Sequence, residues 1–565
     1  MIAWRVPAAA ATLLCLAASG SAFAGAAFAG LDDAAARGES IYLRGVTASG
    51  ANVQASHVSG GPPAKGRDTA CVNCHQHSGL GATEGHVIIP PITGRYLFQP
   101  RSTGDKHATN LPYVEGMHRD RDPYTDATLA HAIRDGVDAE GRTLGYLMPR
   151  FALGEQDMSD LIAYLKKLDP HHVPGVTDSI LHFATIITPD ADPVKKQGML
   201  SVMEQYFADK NTRAMKSLPH MHTTENTMYS RTMYMTNRRW QLHVWELKGP
   251  ADSWQAQLED YAAKEPVFAV ISGLGAGNWQ PVADFCEREH MPCLFPNVEV
   301  PVVQNGEFYT MYFSKGVLLE AGLIADAISD SNDAAPIRIR SVRQVYRAGD
   351  SGERAAKALS ADLATSGIVV HDLVLPGLDA ANASDRKGID RVLHDLAPGE
   401  ALVLWLRPAD VAALGPLPEK VPAVYLSSLL GGLDQMPLPV SWRQRAWLAY
   451  PFDLPDRRVV RVDYALGWFR IRKIPVVAEQ VQSDTYLALG LLSETLSHMV
   501  DTFVRDYLVE RMEDDLEHRL MTGYYPRLTL SQTERFASKG GYVVRFAGKD
   551  NDVRVVAAHD WMVPQ

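Results

Sequence analysis

The chain has 565 residues, with 55 Lys and Arg against 66 Asp and Glu, a formal net charge of −11. Hydrophobic residues make up 46% and charged ones 21%, a composition of packed domains rather than of a disordered tail; at this length about three lobes are expected. The acidic balance, with no Lys/Arg-rich run to reverse it, argues against a nucleic-acid backbone as the principal partner. Five cysteines are too few for a disulfide scaffold, so their positions matter more than their number.

Residues Met1–Ala24 read as a secretory signal peptide. Arg5 supplies the positive start, Ala8–Ser19 is an apolar stretch too short to span a bilayer, and Ala22-Phe23-Ala24 places small residues where signal peptidase reads them. Ala27-Phe28-Ala29 is a second candidate cut. Leu14 before Cys15 argues against a lipid anchor. No later stretch has the length of uninterrupted apolar residues that a membrane span needs, so the expectation is an exported protein that does not span a membrane, placed in the periplasm of a Gram-negative host.

The next signal is Cys71-Val72-Asn73-Cys74-His75. The C-x-x-C-H spacing is that of c-type haem attachment: two thiols one helical turn apart add to the porphyrin vinyl groups, and the adjacent imidazole coordinates iron. A zinc knuckle would need a second ligand pair, and a redox pair would not need His75. Downstream, Thr125 opens a helix carrying Leu129 and Ile133 that stops at Gly136. Met148 precedes Pro149, which keeps it out of helical geometry and leaves its sulfur on an extended loop. Met158, Leu161, Ile162, Leu165 and Leu168 then recur at helical spacing after Gly154. A first helix near Ala34–Leu43 precedes the haem motif.

In these pieces, together with the Pro90-Pro91 turn, the segment resembles class I cytochrome c over about Ala34–Leu168. The resemblance implies an all-α domain with one covalent haem c on Cys71 and Cys74 and with His75 and Met148 as axial ligands. His77, His86, His107, Met117, His118 and His131 are rival sixth ligands, Met158 is expected in the core, and Arg95 is either a propionate contact or a surface residue. With both axial positions filled by protein, iron has no place for substrate, which favours electron transfer over catalysis.

Residues 169–178, with Pro170, His171, His172, Pro174 and Gly175, read as a linker. From residue 179 to the C-terminus, strands and helices alternate. The first run is strand Leu181–Thr188, helix Val194–Asp209, strand Trp240–Leu247, helix Ser253–Lys264, strand Val267–Ser272, helix Trp279–Glu289 and strand Cys293–Phe295. After a helix over Tyr312–Ser329 come Ile339–Tyr346, Gly352–Ser366, Ile368–Leu375, Ala401–Leu406, Ala409–Leu414 and Val424–Leu426, then a long helix over Asp484–Leu520 and a final strand pair. Alternation of this kind predicts an α/β parallel-sheet architecture in two lobes.

The order resembles the type I periplasmic solute-binding proteins of branched-chain amino-acid transporters. The most specific pieces are Val267–Asn278 running into Pro281–Pro296, Gln344-Val345-Tyr346 with Gly352, and the ending Tyr525-Pro526-Arg527 to Val544. By that resemblance the ligand loops fall at Gly275, Gly277, Asn278, Asn297 and Glu299, with Tyr346 and Trp405 as contacts from the second lobe or as core residues. The first loop lacks the Ser or Thr that relatives use for an amino-acid carboxylate, although glycine amides can cradle an anion. Homologues of this kind also resemble a family associated with quinoprotein alcohol oxidation.

Other signals carry less. Gly273-Leu274-Gly275-Ala276-Gly277 imitates a dinucleotide fingerprint, but Asn278 stands where the last glycine belongs. His220, Met221, His222, Met228, Met233 and Met235 form a copper(I)-like set better explained as packing. Cys286 and Cys293 can close a disulfide in an oxidising compartment. The expectation is a periplasmic c-type cytochrome joined to a small-molecule-binding module, taking electrons from a periplasmic, PQQ-dependent dehydrogenase and passing them to another cytochrome or oxidase. The rivals are a transport receptor with a redox-sensing haem domain and an oxidoreductase with its substrate beside the haem.

Overall fold

The computed structural model describes residues 33–565 apart from 59, 61, 85–86, 100–121, 169–172, 218–237, 305, 335–338, 378–388, 390–392, 398, 420, 422, 433–437, 461–463, 500–501, 520–521, 532–533, 549–553 and 565. The expected signal segment, His171, His172 and the Met/His set at 220–235 therefore lie outside the described residues. Contacts divide the chain into two units, Met1–His171 and His172–Gln565.

In the first unit, a helix over residues 33–44 precedes Val72–His75, Gly94–Phe98, Asp126–Asp135 and Glu155–Lys167. Thr125 caps the fourth of these with a reciprocal bond to Thr128, and Gly136 ends it in the left-handed conformation at φ +70°. Ile41, Tyr42, Leu97, Leu129, Ile133, Met158, Leu161 and Leu165 form one buried cluster, so the last helix supplies a core face at the expected spacing. Short strands add to these helices: β1 (Gln54–Ser56), β2 (Ala64–Lys65), β3 (Ala82–Glu84), β4 (Val87–Ile89) and β5 (Arg150–Ala152). β1 pairs antiparallel with both β2 and β5, and buried Ala55 lies opposite buried Phe151. That pairing ties the segment after Met148-Pro149 to the body of the unit.

The second unit holds two α/β lobes. The first contains β6 (Ile180–Ile187), β7 (Arg239–Glu246), β8 (Ala269–Ile271), β9 (Leu274–Gly275), β10 (Cys293–Leu294), β11 (Asn297–Val298) and β12 (Thr310–Met311). Its order is β11-β9-β6-β8-β10-β12, with β7 also on β6, and every pairing is parallel. The second contains β13 (Ser341–Arg347), β14 (Val369–Leu375), β15 (Glu400–Trp405), β16 (Val424–Ser427), β17 (Ala446–Tyr450), β18 (Tyr542–Ala547) and β19 (Arg554–Ala557), in the order β14-β13-β15-β16-β17-β18-β19. Its first five strands run parallel; β18 pairs antiparallel with β17, and β19 antiparallel with β18.

Three expectations are corrected. The helix expected at Tyr312–Ser329 spans Val317–Ala334, because Tyr312 is held in a bridge with Phe536 and Gly316, at φ +57°, turns the chain before the helix. The single helix expected over Asp484–Leu520 is two, Glu479–Met499 and Arg505–His518; Val504 sits in extended geometry between them at φ −109°. The first of the two packs on Pro193–Ser217, where Lys210 Nζ reaches Ser493 Oγ at 3.1 Å, so the chain returns to the first lobe before β18 closes the second. Strand β17 was not anticipated: Ala446-Trp447-Leu448-Ala449-Tyr450 is too short and too uniformly apolar to show a period.

Candidate functional site

The C-x-x-C-H segment folds as the short helix Val72–His75, with His75 N–H bonded to Cys71 O at 2.9 Å, so Cys71 and Cys74 stand one turn apart. Cys74 is exposed and Cys71 half-buried. Burial pushes the Cys71 thiol up to about 12. His75 is buried, and burial holds its imidazole down at about 4, so the ring is neutral at physiological pH.

The His75 ring is aimed as well as neutral. Its Nδ1 lies 3.0 Å from the carbonyl oxygen of Pro90, which can only accept, so Nδ1 carries the proton and Nε2 keeps its lone pair. The carbonyl is brought there by the β3–β4 hairpin and by Gly81, at φ +75°, whose N–H donates to His75 O at 3.2 Å. A side chain at Gly81 would meet Ile89 O at 2.1 Å, so only glycine lets the two segments approach.

Met148 is half-buried and packs against the same apolar cluster as Cys71. Its carbonyl accepts from Arg150 Nη1 at 2.5 Å, and the Arg150 guanidinium lies where a side chain at Gly136 would stand, 1.8 Å from that position. Helix end, arginine and methionine loop are therefore one packed unit. Met158 is core, 2% exposed, and Arg95 is exposed. Among the rival ligands, His131 is bonded to Asp135 at 2.7 Å, His77 is half-buried, and His86, His107, Met117 and His118 lie outside the described residues. Two cysteines on one helical face, beside a neutral and oriented imidazole, suit covalent haem attachment.

In the second unit, the residues named from the resemblance are bonded to other groups of the protein. Glu299, after β11, meets Arg407, after β15: Nη1 and Nη2 donate to its two oxygens at 2.8 and 2.6 Å. Arg407 also donates to Asp350 at 3.0 and 2.5 Å. Lys195 Nζ and Ser351 Oγ reach Glu299 at 3.0 and 2.7 Å, and Ser351 Oγ lies 2.9 Å from Ala276 O. The lobes thus touch through their own charges. Burial alone would raise the Glu299 carboxyl, but Arg407, Lys195 and Ser351 hold it at about 2.

The glycine loop is likewise engaged. Gly277 N–H donates to Asp190 at 2.7 Å, so a protein carboxylate takes the place proposed for a bound anion. Gly275 lies in β9 against Trp279, and Asn278 Oδ1 accepts from Gln280 N at 3.1 Å. Asn297 turns inside its own lobe, donating to Ser272 Oγ at 2.9 Å. Of the two roles open to Tyr346, contact or core, its surroundings are those of the core: it is 5% exposed, and its hydroxyl donates to Asp372 of the adjoining strand at 3.1 Å. Trp405 is fully buried, donating to Gln344 at 3.1 Å. Strand alternation turns both into the second-lobe core, a facing that sequence resemblance alone does not resolve. The sequence reading missed Arg407, Asp350, Ser351 and Lys195; an arginine two residues past a buried strand was the signal available. Cys286 and Cys293 are joined, with their Cα atoms 6.1 Å apart.

Residues 65–169 match the family model of cytochrome c. No curated protein matches the chain. Among solved structures, a fatty acid ABC transporter substrate-binding protein from Thermomonospora curvata is 14% identical with a TM-score of 0.50, over 69% of this chain and 94% of that one. A branched-chain amino acid ABC transporter protein from Thermus thermophilus with bound valine is 10% identical with a TM-score of 0.48, over 69% and 97%. A leucine-binding protein from Thermotoga maritima is 12% identical with a TM-score of 0.43, over 67% and 98%. The first of these likenesses shows the fold of the second unit and nothing of its ligand. No helix among the described residues is long and apolar enough to cross a membrane. The chain therefore contains a cytochrome c domain, which implies covalently bound haem c, followed by a unit with the periplasmic-binding-protein fold of ABC transporter substrate-binding proteins.

Proposed function

We propose that the protein is a periplasmic electron carrier with one haem c, joined to a module that binds a small molecule. Cys71 and Cys74 would hold the group through thioethers, and His75 and Met148 would ligate its iron. The observation that carries this reading is the bond of His75 Nδ1 to Pro90 O, which leaves Nε2 as the ring's only available donor atom. Bound there, the haem would supply a one-electron couple, whose potential the Met148 thioether would raise. The chain's own part is to hold His75 neutral and oriented, to fix the Met148 loop through Arg150 and β5, and to keep water from the apolar cluster beneath. Electrons enter from a periplasmic dehydrogenase, of the PQQ-dependent kind by the sequence resemblance, and leave to another cytochrome or oxidase.

The test is spectroscopic. The purified protein should show a reversible, low-spin haem c couple whose potential is independent of added solute. Met148→Ala should lower the potential and open the iron to carbon monoxide. An unchanged low-spin spectrum in that variant would remove Met148 from the assignment. Reduction of the haem by a substrate alone, with no dehydrogenase present, would make the protein an oxidoreductase instead.

A further inference from the structure

Beside the ion pairs between the lobes lies a cavity of about 300 Å³, at the small end of the range for ligand sites. Both lobes line it. Asn278 and Trp279 come from the glycine loop, Val300 and Val302 from the crossing segment, and Leu318 and Arg354 from the helices that open the second lobe. None of the lining residues is acidic. One side is apolar: Val300 and Val302 are buried, and Leu318 closes the wall.

Two observations point to the polar end of an occupant. Trp279 is 2% exposed, yet its Nε1–H is buried and meets no acceptor among the described residues. An orphan donor of that kind costs free energy unless an acceptor arrives. Arg354 is exposed on the helix Ser351–Thr365 and takes no part in the ion pairs around Glu299. A donor without a partner and a guanidinium, set against a short aliphatic wall, are complementary to an anion with an apolar tail. The acids that would receive an ammonium group, Glu299 and Asp350, are already satisfied by Arg407.

We propose that this cavity seats a monocarboxylate with a short aliphatic body and no ammonium group, its carboxylate accepting from Trp279 Nε1 and pairing with Arg354. The proposal rests on the reading of the second unit as a small-molecule-binding module, and it names the class of molecule.

The test is calorimetric titration of the full-length, haem-loaded protein with valerate, and in parallel with pentanol, pentylamine, valine and leucine. Valerate should bind; the alcohol and amine should not, and the amino acids should bind at least tenfold more weakly. Arg354→Gln and Trp279→Phe should each weaken valerate at least tenfold, the effect of removing one hydrogen bond to a charged group. Arg354 is exposed, so its variant answers the question even where Trp279→Phe costs stability. Valerate binding that survives both substitutions would overturn the assignment of the seat. Binding of an alcohol or amino acid in place of valerate would overturn the ligand class and leave the module reading standing. No binding by any of the five would overturn both. The haem spectrum, followed throughout, keeps either result separate from the electron-carrier assignment.

Discussion

Arg407→Ala is the substitution with the largest expected consequence in the second unit. The guanidinium makes four bonds to two carboxylates on opposite lobes, with side-chain exposures of 18% for Arg407, 13% for Glu299 and 6% for Asp350. Removing it leaves Glu299 with Lys195 and Ser351, and Asp350 with the backbone N–H of Ser351, a loss expected to cost about 3–5 kcal/mol. An independent route gives a similar size. Glu299 held at about 2, against an ordinary 4.5, corresponds to about 3 kcal/mol favouring the ionised, paired state. Because the folded value is depressed, that contribution is present above pH 4.5 and is lost as pH falls toward about 2. For a unit of this length the loss corresponds to a fall in Tm of roughly 4–6 °C. Hydrogen exchange should locate it, with faster exchange at the start of the helix Ser351–Thr365 and in the loop around Ala276. A double-mutant cycle of Glu299→Gln and Arg407→Gln should give a coupling of at least about 2 kcal/mol. Additive losses, or a Tm within one degree of wild type with unchanged exchange, would refute the latch.

Gly136→Val should lower the Tm of the first unit and weaken methionine ligation together, since a side chain at φ +70° is strained and would displace Arg150 from Met148 O; near-identical potential and stability would count against this coupling. Cys286→Ser should cost about 2 kcal/mol by chemical denaturation in oxidised protein and nothing after reduction, given the sequence separation of 7. Burial raises the Asp484 carboxyl to about 7, with its Tyr525 bond only partly offsetting, so the folded state binds the proton more tightly than the unfolded one and this group's stabilisation declines as pH rises from about 4 to 7. Asp484→Asn should therefore raise the Tm at pH 8 relative to wild type more than at pH 4; a pH-independent difference would refute the assignment.

Much of the first unit is legible in the chain because its signals are local. C-x-x-C-H, Thr125 before and Gly136 after a helix, Met148 before Pro149 and the period of Met158–Leu168 all act within a few residues, where covalent geometry and capping decide the outcome. The alternation of strands and helices in the second unit is legible for the same reason, and short buried strands such as β17 are missed where no period can develop.

The sequence by itself determined which residues can attach a haem and that two α/β runs follow. Tertiary structure alone decided that Pro90 orients His75, that Tyr346 faces a core, and that Glu299 is spent on Arg407 across 108 positions of chain. Each depends on which backbone segments the sheets and crossings bring within hydrogen-bond reach. Distance along the chain carries no record of that proximity.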